Sequence, residues 1–107
     1  YDRYNRIRGL AQSWGFQSAY GQAMVATMLN NPGACGGSLA PLRQRCTQSD
    51  ESQKIECFLR EFVAVPCRGN ATGAANRVAS IREALANVSR SQPPVVKTLQ
   101  EVEACVR

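Results

Sequence analysis

Five cysteines stand one at a time along a chain that has no histidine, and that combination narrows the fold more than any other feature. Cys35, Cys46, Cys57, Cys67 and Cys105 form no Cys-x-x-Cys pair, and no imidazole is present to complete a zinc site. No structural metal and no cofactor are therefore expected. Dispersed cysteines in 107 residues read instead as staples of a single small domain, residues 1–107, in an oxidising compartment, periplasmic or extracellular. Two disulfides and one remaining thiol are expected. An exported chain of this kind is expected to have lost a signal peptide ahead of Tyr1. No apolar run approaches the roughly 18 residues needed to span a membrane.

Apolar spacing points to helices throughout. Tyr4, Ile7, Leu10, Ala11 and Trp14, then Tyr20, Met24, Thr27 and Met28, recur at steps of three and four. One long helix, broken or bent near Gly15, is expected, ending at Asn30-Asn31-Pro32-Gly33. Gly9 and Gly21 are candidates for close approach by a neighbouring helix. Ser38 reads as the N-cap of a short helix that carries Pro41 in its first turn and runs to about Cys46. Ser49 or Asp50 reads as the next cap, with Gln53 three residues after Asp50, and Ile55, Phe58, Leu59, Phe62 and Val63 form the stripe that follows. Pro66 stops it. Val78, Ile81, Leu85 and Val88 mark a fourth helix, and Val95, Leu99, Val102 and Val106 a fifth beginning at Pro94. No stretch alternates with period two. The expected fold class is all-α, a compact bundle of about five helices stapled by disulfides.

Short connections between antiparallel helices let residue number stand for height along the axis. On that geometry Cys35 and Cys57 lie at similar heights on either side of the turn between the second and third helices. Cys46 sits at the turn itself, about two helical turns or some 12 Å below Cys57, whereas a disulfide needs Cα atoms within roughly 7 Å. A Cys35–Cys57 bridge is expected. The returning fifth helix brings Cys105 to the Cys67 loop, and a bridge there would close about 38 residues for some 3 to 4 kcal/mol. Cys46 is left unpaired. The stretch at residues 30–41, "NNPGACGGSLAP", then serves as a cross-linked corner.

The formal net charge is +5, from 11 Arg and 2 Lys against 8 acids. The arginines are spread over every segment and do not interleave with aromatics, so no nucleic-acid partner is expected, while an acidic protein surface suits the charge. Without histidine there is no Ser-His or Cys-His couple. Glu101 and Glu103 diverge on a helix, and no Gly-rich phosphate loop is present. The chain is expected not to be an enzyme. Asn70-Ala-Thr72 and Asn87-Val-Ser89 match the glycosylation pattern and are read as coincidences, Asn87 because it falls in a helix. Trp14, Phe16, Tyr20, Met24 and Met28 suit a core, and offer the alternative of a secreted helical carrier for a lipid or another apolar ligand.

The segment "GGSLAPLRQRCTQSDESQKIECFLREFV", continued to the closing "CVR", resembles small periplasmic immunity proteins that protect bacteria against peptidoglycan amidases delivered by type VI secretion. The shared spacing is Leu42 to Cys46, then Cys57 on the next helix, the Cys67 loop, a helical stretch and the terminal cysteine. The sequence departs from the pattern at Phe58-Leu59-Arg60-Glu61-Phe62, and the first 30 residues lie outside it. The resemblance implies an all-helical inhibitor, often a homodimer, that occludes the cleft of a cell-wall hydrolase with a loop or helix end. No motif carries contact residues across. On physical grounds the polar corner of Thr47, Gln48, Ser49, Asp50 and Glu51 is the candidate partner-binding surface.

Overall fold

The computed structural model describes residues 2–30, 39–64 and 71–90. Among them the structure is all-helical, with α1 (Asp2–Ser13), α2 (Ala19–Asn30), α3 (Ala40–Arg45), α4 (Glu51–Ala64) and α5 (Ala71–Ala84), and no strand. No helix among these residues is long and apolar enough to cross a membrane. α2 packs against α1 and α4, and α4 in turn carries α3 and α5. The radius of gyration, 12.4 Å, is that of a compact domain of this length.

The first apolar stretch is two helices, and its break is a full reversal. Gly15 adopts φ 98°, its N–H donates to the Gln12 carbonyl at 3.0 Å, and the Phe16 N–H reaches the Ala11 carbonyl at 3.0 Å. This is a Schellman ending, with glycine in the left-handed position and an apolar contact between Phe16 and Ala11, both fully buried. Ser18 then caps α2, its Oγ accepting from the Gly21 N–H at 3.0 Å. At the other end Arg3 donates to Asn30 Oδ1, so α1 and α2 run antiparallel. The reversal decides which α1 positions are inside. Ile7, Ala11 and Trp14 form the buried line, while Leu10, expected on that face, is 39% exposed.

α2 is buried along nearly its whole length, from Ala19 to Met28, as a helix apolar all round must be. Its two buried polar side chains bond to backbone: Gln22 Nε2 donates to the Phe16 carbonyl and Thr27 Oγ1 to the Ala23 carbonyl, each at 2.9 Å. Against it α4 presents Ile55, Phe58, Leu59 and Phe62, all 1% exposed or less. Asp50 begins α4 as its cap, accepting from the Gln53 N–H at 2.9 Å. Ala74, Val78 and Ile81 of α5, and Leu85 in the turn after it, close the core from the other side. The fourth expected helix thus ends at Ala84, which leaves Asn87 in an exposed turn and not in a helix; Asn70 lies outside the described residues.

Two expectations need correction around α3. Its cap is Leu39, at φ 50° and with no side-chain capping bond, while Ser38 lies outside the described residues. Leu39 is fully buried, and burying a leucine offsets the strain of a left-handed conformation, of order 1–2 kcal/mol. The second correction is the cysteine pairing. Cys46 is not unpaired, and Cys57 does not have Cys35 as its partner: the sulfurs of Cys46 and Cys57 stand at disulfide distance, with Cα atoms 5.6 Å apart. The expected geometry placed a tight turn at residues 46–50, whereas Cys46 has φ −107° and ψ 83° and the segment runs without helix to Asp50. Four residues can span at most about 13 Å, which is reach enough for Cys46 to stand beside Cys57 and not at the start of α4. Arg45 accordingly meets Glu61 at 3.2 Å. Cys35, Cys67, Cys105 and the expected fifth helix lie outside the described residues.

Candidate functional site

Where the α1–α2 corner meets α3 and α4, the surface opens into a recess of about 350 Å³. The Schellman ending of α1 leaves Trp14 at the corner, its side chain almost wholly covered. The Trp14 ring lies 6.5 Å from that of Phe58, which meets Phe16 edge-on at 4.9 Å. Together Trp14 and Phe58 give the recess its aromatic wall. The Cys46 end of the disulfide and Thr47 form the side that belongs to the α3–α4 connection, and Ser13 completes the α1 side.

Two cations border the recess. Arg43 on α3 holds its guanidinium carbon 4.6 Å from the Trp14 ring centre, a cation–π contact worth roughly 0.5–1 kcal/mol where exposed. Lys54 on α4 donates from Nζ to the Trp14 carbonyl at 2.9 Å and lies 5.9 Å from the centre of Phe16. Neither cation has a carboxylate partner among the described residues, and no acidic side chain lines the recess. A recess bordered by two cations and lined by no acid favours an anionic group.

The polar corner read from sequence divides into parts with different duties. Thr47 lines the recess. Gln48 is half-buried, and its Oε1 is buried without a hydrogen-bond partner among the described residues. Ser49 is exposed. Asp50 is occupied as the α4 cap. Glu51 reaches across to α2, where its carboxylate accepts the Gln17 N–H at 2.7 Å, the Ser18 N–H at 3.0 Å and the Ser18 hydroxyl. A carboxylate at a helix start also meets the positive end of the helix dipole.

Arg43, Lys54 and Ser13 escaped the sequence reading, because residues 30 to 40 apart in sequence are joined only by the α1–α2 reversal. The available signal was a lone tryptophan followed directly by glycine at the end of a helical stripe. Of the residues offered as a lipid lining, Phe16, Met24 and Met28 are fully buried in the core, and Tyr20 is buried with the Arg90 guanidinium 4.7 Å above its ring.

Comparison of the chain with protein-family models, with curated proteins and with solved structures found no match in any of the three.

Proposed function

We propose that this chain is a binding protein with no chemistry of its own, and in its most concrete form a periplasmic immunity protein that neutralises a cell-wall amidase by occluding the active-site cleft. The observation that carries this reading is the contrast between core and recess. The large apolar side chains of the described residues fill one another, while a cationic, aromatic-walled recess stands open at a corner fixed by hydrogen bonds. A corner held by hydrogen bonds beside an accessible recess suits a protein partner, since preorganised surfaces lose little entropy on association.

A further staple belongs to the same proposal. A Cys67–Cys105 bridge would anchor the carboxyl-terminal segment to the bundle, an arrangement suited to the periplasm or the extracellular space. A homodimer is one form such a protein can take. The carrier alternative draws less support, because Phe16, Met24 and Met28, which would have to face a ligand, are packed into the core.

The test is direct inhibition. Peptidoglycan amidases of the type VI effector class, beginning with any encoded beside this gene, are assayed on purified cell wall with increasing amounts of the oxidised protein. Stoichiometric loss of hydrolysis and a complex stable to gel filtration are the expected results. Full hydrolysis at a large excess of the protein would sink the immunity reading.

A further inference from the structure

The recess at the α1–α2 corner carries a more specific assignment, which deepens the binding reading above and rests on it. We infer that it is a receptor for the carboxylate of an acidic side chain, presented by a loop of the protein partner and held between Arg43 and Lys54 against Trp14.

The charge comes first. Arg43 and Lys54 both border a recess whose lining holds no acid, and neither makes an ion pair among the described residues. Elsewhere on the same surface arginines do pair: Arg45 with Glu61 at 3.2 Å and Arg82 with Glu56 at 3.0 Å. Among the described residues, a ligand can therefore claim the two cations of the recess without breaking an existing bridge.

The donors suit a carboxylate. A guanidinium laid over an indole keeps its N–H fork available at its edge, and that fork matches two carboxylate oxygens. Lys54 has three N–H donors and commits one to the Trp14 carbonyl. Thr47, an exposed residue of the lining, carries a hydroxyl as a neutral donor. Trp14 and Phe58 are only 9% and 1% exposed, so the separation of an organic acid from a bare inorganic anion rests on the planar match between the Arg43 fork and a carboxylate and on the residues that flank the acid in the partner's loop. At about 350 Å³ the recess lies at the small end of ligand sites, sized for one side chain and its neighbours. A chain of net charge +5 also draws an acidic surface toward it from solution.

Trp14 is the only tryptophan in the chain, so its emission reports on the recess directly. The oxidised protein is titrated with the blocked peptide acetyl-Leu-Glu-Leu-amide, with its glutamine counterpart, and with inorganic phosphate. The expected result is a saturable change with the glutamate peptide. The glutamine peptide should bind roughly tenfold or more weakly, as should the glutamate peptide to Arg43→Gln, with Arg43→Lys recovering part of the loss. Arg43 is exposed, so unchanged circular dichroism is expected of both variants. Equal response to the two peptides, indifference to Arg43→Gln, or phosphate binding as tightly as the peptide overturns the assignment. The two readings fail separately. An amidase complex insensitive to Arg43→Gln removes the recess from the interface, whereas peptide binding without any amidase inhibition removes the immunity function and leaves the site.

Discussion

Lys54 Nζ donates to the Trp14 carbonyl at 2.9 Å, joining α4 to the residue at which α1 ends. The carbonyl is one that the end of a helix leaves without an intrahelical partner, and a charged donor from 40 residues away satisfies it. Lys54→Met keeps the length of the side chain and removes the donor. The expected loss is about 1.5–3 kcal/mol, the range for hydrogen bonds to charged groups, measured by urea unfolding. Trp14 emission should shift to the red in the folded variant as the corner loosens.

Gly21 and Gly9 should respond in opposite directions to alanine. A Cβ at Gly21 would stand 2.8 Å from Phe16 Cδ1 and 3.1 Å from Glu51 Oε2, whereas at Gly9 nothing lies within 4 Å. Gly21→Ala is expected to cost about 1–3 kcal/mol through forced displacement of a buried ring. Gly9→Ala, at an exposed position of α1, should gain about 0.5–1 kcal/mol. Thermal unfolding of the two variants side by side checks both signs, and equal shifts would contradict the packing at Phe16.

The Cys46–Cys57 pair closes a separation of 11 residues. On the chain-entropy account a loop of that size contributes about 3 kcal/mol. Replacing both cysteines with alanine should lower the urea midpoint accordingly while leaving helicity intact. Peptide mapping without reduction is the complementary measurement: a fragment joining Cys46 to Cys57 is expected, and one joining Cys35 to Cys57 would reject the α3–α4 arrangement.

Glu56 supplies an acid-dependent term. The hydrogen bond from Arg82 is the largest cause holding its carboxyl below the usual range; partial burial acts in the other direction, and Arg90 adds a further lowering. A carboxyl lowered in the folded state contributes stability above its unfolded value of about 4.3, and that contribution is lost as pH falls through the lower folded value. The Glu56 side chain is 41% exposed, so solvent screening holds the contribution to about 1 kcal/mol or less. Glu56→Gln should flatten this part of the acid limb between about pH 5 and the folded value, and added salt should shrink the difference. Unfolding midpoints recorded from pH 7 downward provide the check.

Periodicity made the helices legible, because burial of a stripe is written locally: Ile55, Phe58, Leu59 and Phe62 all lie in the core as their spacing requires. The capping of α4 by Asp50 was legible for the same reason. What local pattern does not encode is how far a connection reaches. Residues 46–50 could form a tight turn or an extended riser, and the choice moved Cys46 from the bottom of α4 to the side of Cys57. Gly15 announced a disturbance without saying whether the helix bends or reverses, and the reversal is what sets Trp14, Arg43 and Lys54 around one recess. Within the candidate partner surface, Asp50 and Glu51 serve the fold through bonds whose partners are visible only in three dimensions, and Thr47 alone of the five faces the recess.

Glu51 belongs to α4 by sequence and to the start of α2 by its bonds. During synthesis the first helical pair therefore leaves the ribosome with its corner unfinished, and the acceptor for Gln17 and Ser18 arrives more than thirty residues later. A nascent chain halted before that point would lack the acceptor for these two donors, and the start of the second helix would gain it only with the emergence of the fourth.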